Sequence, residues 1–443
     1  PLLRKVTPKD GAIVTVTRAS RKPSPLKASA KNLDGDGTVL LGAARPNAQF
    51  YSWQAMSITA TKEAAPGLDG PMTCVRGETP FDLCSALNYG LTIGPPELID
   101  FFSSHVKAIH NPPYKDWETC LSCGSTAAID IALRMFCNRG DWVLTEQFTY
   151  TGTMIAAEKQ GLKLLSIRMD DRGLDPADLD LKLSNWDTAQ RGQKPFVLYT
   201  IPSGQNPTGT TQPTERKRAI YQLVEKHDIF IEDDPYYLFA LDADINAAQD
   251  GYRLALPTSY LSLDTSGRVL RLDSTSKILA PGLRSGWVTG CSRIDLYVAF
   301  ADVSTLSPSG PSQVMLVKLL RETWGQDGFL NWKTAVYRPW CLWEVCSKEY
   351  MFVWIRVDVG QHPGWSKLPL QEEVRRKFCQ DVEGRIHEAA EERGVVTAKG
   401  SWFGVEPPAD ELFFRLSYVT APEEALDQAV EKFGQTIAFE FAL

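Results

Sequence analysis

Apolar and polar positions change their period several times along this chain, and the changes divide it. Residues 1 to about 40 show little periodicity and are rich in Lys, Pro, Ser and Gly, so they read as an extended arm. Core-like patterning starts near Val39, with helix candidates over 54–61 and 96–105. From about Thr119 short apolar runs alternate with amphipathic ones. The spacing of Ile129, Leu133 and Phe136 predicts a helix over 125–137, and 216–227 reads as another. The runs 142–145, 162–167, 196–200, 229–231, 269–272 and 286–289 read as short strands. Apolar strands separated by helices predict a mainly parallel sheet covered on both faces. Ligand groups are then expected beyond the strands' C-terminal ends.

A different pattern follows Gly310. A long helical region extends to near Cys346, 351–359 alternates like a half-buried strand, 371–393 is a charged amphipathic helix, and 413–418 is another strand. Thr420-Ala421-Pro422-Glu423 offers a cap residue, an early proline and a capping-box glutamate for a last helix. The expected organisation is an arm over 1–40, an N-terminal part of the small domain with an interface segment over 41–118, a large domain over 119–320 and a C-terminal α+β small domain over 321–443. No internal repeat or low-complexity tract interrupts it.

Bulk properties narrow the function. At 443 residues the chain exceeds the size at which a single core stops growing. A formal charge of -7 argues against nucleic acid or an anionic membrane as partner. No run reaches 18 uncharged apolar residues, so no membrane span is expected. The first ten residues lack the apolar core of a signal peptide, and Phe441-Ala442-Leu443 is not the common peroxisomal tripeptide. Nine cysteines, an odd number widely spread, suit reduced thiols and a cytoplasmic location. Cys120 and Cys123 have a zinc-like gap, but no second pair and no nearby histidine follows, so no metal is expected.

The chemistry gathers at three motifs. Lys277 lies in Ser274-Thr275-Ser276-Lys277, just past the 269–272 run, with Arg284 seven residues on. A lysine after a strand is ordinarily a solvated surface residue. An imine-forming lysine must lose its proton, and a low-dielectric setting with cationic neighbours favours that. The same amine is then placed for proton transfer at a substrate α-carbon. In Glu232-Asp233-Asp234-Pro235-Tyr236-Tyr237, Asp234 suits a protonated pyridine nitrogen, though the trio also reads as an acidic loop rim. Tyr237 and Asn206, the latter in the turn-rich Ser203-Gly204-Gln205-Asn206-Pro207-Thr208-Gly209, are both suited to a phenolate oxygen.

Gly124-Ser125-Thr126 opens a helix whose free N–H groups and dipole suit a phosphate, and Ser274, Ser276 and Arg284 complete an anion cup. Tyr150 is placed to stack on a ring or, equally, to pack at a sheet edge. Arg415, within an apolar strand, suits a substrate α-carboxylate or an internal salt bridge. An amine, a carboxylate, two phenolate ligands and a phosphate cup are the parts that pyridoxal 5′-phosphate requires.

With those motifs in that order, the chain from roughly Leu40 to the C-terminus resembles the fold-type I, pyridoxal-phosphate-dependent aminotransferases of class I/II. Within them it is most similar to the fungal aromatic amino acid and 2-aminoadipate enzymes, relatives of kynurenine/2-aminoadipate aminotransferase. The resemblance implies an α/β large domain with a mainly parallel seven-stranded sheet plus a smaller α+β domain. It also implies that Lys277 carries the cofactor, Asp234 meets the pyridine nitrogen, Asn206 and Tyr237 meet the phenolate oxygen, and Tyr150 stacks. By the same match Ser125, Thr126, Ser274, Ser276 and Arg284 hold the phosphate, joined by Tyr89 from the neighbouring subunit of a homodimer. Arg415 matches the α-carboxylate clamp and Gly42 the glycine of the substrate loop, with Asn206 also lining the substrate site. The implied reaction is transamination of an aromatic L-amino acid (Trp, Phe or Tyr) with a 2-oxo acid such as 2-oxoglutarate.

One segment departs from the family: Ala43-Ala44-Arg45-Pro46-Asn47-Ala48-Gln49-Phe50-Tyr51-Ser52-Trp53 replaces a Gly-Leu-Pro-Asn-Pro type run. It leaves elimination, replacement or cyclisation on the same fold as the alternative chemistry. Arg18, Arg21 and Arg45 are the candidates for a distal carboxylate.

Overall fold

The computed structural model describes residues 44, 46–228, 232–239, 256–291, 294–332, 351–406, 408–419 and 421–443. Two groups of strands build the larger part. The first is parallel, in the order Lys163–Ile167, Trp142–Glu146, Leu198–Tyr199. The second runs Glu118–Ser122, Gly286–Gly290, Arg271–Ser274, Glu232–Asp233. In it Gly286–Gly290 is antiparallel to both neighbours, and Arg271–Ser274 is parallel to Glu232–Asp233. Asp233 N donates to Thr200 O at 3.0 Å, which carries the hydrogen-bonding from one group to the other. The mainly parallel α/β arrangement expected from the alternating runs is present, with one reversed strand.

Helices cover this sheet through apolar faces, nearly all round in Ser125–Phe136 and along one side in Pro96–Ile109. Ser125–Phe136 buries Ala128, Ile129, Ile131, Ala132, Leu133, Met135 and Phe136. Pro96–Ile109 buries Leu98, Phe101, Phe102 and Val106, and Phe102 stacks on the fully buried Trp287 at 4.3 Å between ring centres. Each such side chain contributes about 1.5–3 kcal/mol through burial. Three strands, Phe352–Val357, Leu412–Ser417 and Ala398–Lys399, form a separate antiparallel sheet. The helices Glu372–Glu392 and Glu423–Glu440 pack beside it, over a core of its own around Val382, Ile386, Phe414 and Phe433.

A third apolar cluster seals the two parts together. Phe148 from the large sheet meets Phe413 and Trp354 of the small one at 5.1 and 5.0 Å. Thr149 N donates to Phe403 O at 2.9 Å and Val405 N to Gln147 O at 3.1 Å, so backbone as well as side chains crosses the seam.

Three expectations differ from what is observed. The 54–61 segment contains the strand Ala55–Ile58, which pairs antiparallel with Met72–Val75. Distant pairing decides here, reinforced by the 2.9 Å hydroxyl contact of Ser57 with Thr73. The last helix begins at Glu423 with Pro422 at the cap position and no side-chain cap bond; Thr420 lies outside the described residues. Within the helical region after Gly310, Val317–Trp324 is a π-helix. The expected strand 229–231 and residues 333–346 also lie outside the described residues. No helix among the described residues is long and apolar enough to cross a membrane.

Candidate active site

Register brings the anion-binding candidates to one edge of the sheet. Gly286 pairs with Ser274 on one side and with Ser122 on the other. Ser274, the start of the 125–136 helix and Arg284 therefore share one end of three adjacent strands. Gly124 caps that helix at φ +87° with no side-chain cap bond, so the first-turn N–H groups are left for another acceptor. A Cβ on Gly124 would fall 2.9 Å from Arg284 Nη2, so a side chain there would displace the guanidinium from the helix end, and the φ of +87° itself favours glycine. Arg284 itself is left-handed at φ +46° and donates to Cys123 O at 3.2 Å. Ser274 Oγ accepts from Ser276 N at 3.0 Å. Helix N–H groups, hydroxyls and one cation in a glycine-lined hollow fit a phosphate.

Tyr150 stands where the chain leaves the Trp142–Glu146 strand and enters the Thr151–Lys159 helix. Its hydroxyl reaches Thr126 Oγ1 at 3.5 Å, which tilts the ring towards the cradle. Gly152 makes room for it: a Cβ there would lie 2.4 Å from the ring.

Lys277 lies three residues beyond the Arg271–Ser274 strand, half-buried, with Nζ 5.9 Å from the centre of the Tyr236 ring. Burial lowers its proton affinity, and the charge of Arg415 lowers it further. Asp234 is buried where the neighbouring strand ends, and Ser203 Oγ donates to its Oδ2 at 3.0 Å. Arg271 Nη1 lies 3.5 Å from the same oxygen, while Arg271 Nε and Nη2 grip Asp273 at 2.9–3.1 Å.

Asn206 and Arg415 meet. Arg415 Nη1 donates to Asn206 Oδ1 at 2.8 Å, and the guanidinium lies 4.7 Å from the rings of both Phe352 and Phe403. Its Nε has no hydrogen-bond partner among the described residues. Of the two readings open for Arg415, no internal salt bridge is seen among the described residues: an amide and two rings hold a fork with donors to spare.

Tyr237 differs from expectation. Its hydroxyl donates to Pro257 O at 2.6 Å, and its ring lies between Arg271 at 4.6 Å and His110 at 4.8 Å. Packing against that buried cation turns it away from Asn206. Tyr236 takes the position beside the Asn206 amide, and its ring packs on Phe352. Burial pushes the Tyr236 phenol up, and the charge of Asp233 adds to the rise, while Arg415 and the Asn206 amide oppose it.

Tyr89 is 65% exposed, and no hydrogen bond among the described residues joins its side chain to the cradle of its own chain. Gly42, Arg18, Arg21 and Arg45 lie outside the described residues. Sequence reasoning missed Ser203, Arg271, Tyr236, Phe352, Phe403 and Gly152. Only Arg271 left a signal, a second charge two residues from Asp273 on the same face of an apolar strand.

The model of aminotransferase class I and II matches residues 72–335. Among curated proteins, an aminotransferase, swnA, of Arthroderma benhamiae is 48% identical over 95% of this chain and 90% of its own. An aromatic amino acid aminotransferase of Schizosaccharomyces pombe is 35% identical over 97% of both. Among solved structures, the aminotransferase Aro8 of Candida albicans superposes with a TM-score of 0.85 at 31% identity, over 97% of this chain and 98% of its own.

Proposed function

The chain belongs to the class I and II aminotransferases and uses pyridoxal 5′-phosphate, and within that family we propose that it transaminates aromatic L-amino acids with a 2-oxo acid such as 2-oxoglutarate. The observation that carries the reading is Arg415, oriented by Asn206 and flanked by Phe352 and Phe403. It offers a planar fork to an α-carboxylate beside aromatic surface.

When bound, pyridoxal phosphate supplies an electron sink for the amino acid's α-carbon. The residues that would hold it are Lys277, Asn206, Tyr150, the phosphate cradle of Ser125, Thr126, Ser274, Ser276 and Arg284, and an acid of the 233–234 pair; Asp234 lies with Ser203 and Arg271, whereas Asp233 pairs with Leu272 and acts on the Tyr236 phenol. Tyr236 joins them beside Asn206, and Tyr237 backs the site through Arg271. Lys277 Nζ, its proton affinity lowered by burial and by Arg415, is the base at the substrate α-carbon. Arg415 binds the α-carboxylate and so fixes which bond at that carbon faces Lys277. Tyr89 from a second copy of the chain completes the cradle, a role its exposure supports.

Stopped-flow absorbance of the holoenzyme mixed with single L-amino acids tests this. Tyrosine, phenylalanine or tryptophan should convert the enzyme to its amino form, and 2-oxoglutarate should reverse the change. Ammonia and an oxo acid released without any second oxo acid would instead mean elimination, and the proposal would fall.

A further inference from the structure

Glu146 ends the Trp142–Glu146 strand, is fully buried, and no cation pairs with it among the described residues. Such a carboxylate is costly unless its oxygens are filled by donors. They are filled from one segment. Oε1 accepts from Thr200 Oγ1 at 2.6 Å and from Gln212 Nε2 at 3.4 Å. Oε2 accepts from Gln205 Nε2 at 3.1 Å, and Ile201 N lies 3.2–3.3 Å from both oxygens. Gln205 extends the hold: its Nε2 also donates to Phe148 O at 2.6 Å, and its Oε1 accepts from Thr208 N and Oγ1 at 2.9 and 2.8 Å. The residue after Gln205 is Asn206, which orients Arg415.

We infer that Glu146 is a positioning residue for the carboxylate clamp, an anchor whose two carboxyl oxygens set the 203–209 loop so that Asn206 meets Arg415. This rests on the reading of Arg415 as the group that binds the substrate carboxylate. The titratable groups around Glu146 are Asp233, Tyr199, which donates to Asp233 at 2.6 Å, and Tyr260, which reaches it through Gln212. Burial and the charge of Asp233 push its proton affinity up, to about 7, and the bonds from Thr200, Gln205 and Ile201 oppose the rise.

Glu146→Gln keeps the shape but aims an N–H at donors whichever way the amide turns. Gln205→Met keeps the carboxylate and cuts its link to the loop, and serves as the test if Glu146→Gln does not fold. The probe is 3-phenylpropanoate, a carboxylate without an amine, titrated against each holoenzyme by absorbance, with Arg415→Lys as reference and cofactor affinity measured in parallel. Each of the two loop variants should weaken probe binding about 10-fold, equivalent to about 1.4 kcal/mol. The KM for tyrosine should rise by a similar factor, with kcat and cofactor affinity within about 2-fold of wild type. If the reference weakens binding and the loop variants do not, the inference fails and the clamp stands. If cofactor affinity falls as far as probe affinity, Glu146 is merely structural and the inference fails again. If Arg415→Lys leaves the probe's affinity unchanged, the clamp itself is wrong and the inference goes with it.

Discussion

Replacing Arg271 by methionine isolates the charge cluster behind the site. Arg271 is fully buried, grips Asp273 through Nε and Nη2 at 2.9–3.1 Å, lies 3.5 Å from Asp234 and covers the Tyr237 ring at 4.6 Å. Asp273 and Asp234 are themselves 5% and 1% exposed, so removing the cation alone leaves two buried carboxylates without its charge. Breaking one buried pair costs about 3–5 kcal/mol. Loss of the ring contact adds about 1 kcal/mol. The expected loss for Arg271→Met is therefore about 4–6 kcal/mol, a large part of the roughly 5–15 kcal/mol that holds a typical fold.

Arg271→Met combined with Asp273→Leu removes both members of the tighter pair, and apolar replacement of such a pair is often neutral. The double variant should lose no more than about 2 kcal/mol, giving a coupling energy of at least about 2 kcal/mol. Urea unfolding of the four holoproteins of this cycle, followed by tryptophan fluorescence, measures it. Additive losses, or an Arg271→Met loss below about 1 kcal/mol, would refute the reasoning.

Other outcomes follow from the same geometry. Gly152→Ala drives a Cβ into the Tyr150 ring, 2.4 Å away. Cofactor affinity should fall by about 10-fold in an absorbance titration, since edge-on or stacked ring contacts are worth about 1 kcal/mol or more. Lys277→Gln removes the proposed base and covalent anchor, so turnover should drop by at least about 100-fold and the cofactor should leave on dialysis. Glu146 holds its proton to about 7 in the fold against 4.5 ordinarily. An acid shifted this way stabilises most below its unfolded value and loses that stabilisation as pH rises through about 7. Between pH 5 and 8 the wild type should lose about 3 kcal/mol relative to Glu146→Gln, measured by urea unfolding at each pH. A gap independent of pH would contradict the assignment.

Much of the fold was legible where local pattern and tertiary demand agree. The Ser125–Phe136 helix, the Trp142–Glu146 strand and the Glu372–Glu392 helix lie within two residues of their sequence expectation. The 54–61 run carries three apolar-polar alternations from Met56 to Thr61, a strand period that prevails over the helical reading once Met72–Val75 pairs with it. At the candidate site, the structure brings Asn206 to Arg415 and the charge of Arg415 to bear on Lys277, a convergence that placement beyond strand ends leads one to expect. Tyr236 and Tyr237 were not separable, since adjacent residues face opposite ways and only the Arg271–His110 packing decides which. Glu146 left no trace in the sequence, because a buried acceptor is recognised by donors 54–66 residues away, and the role of Ser203 as donor to Asp234 shows only across 31 residues.

The seam between Gln147–Thr149 and Phe403–Val405 also governs how such enzymes can be recombined. Two backbone bonds and a shared aromatic cluster tie the segment leading to Tyr150 to the one carrying Phe403. A chimera with a single crossover near residue 332 would inherit these two halves from different parents, separating residues that fit one another. Crossovers that keep 147–150 and 398–415 from one parent preserve the fit, so substrate preference should travel with the pair of segments, not with either alone.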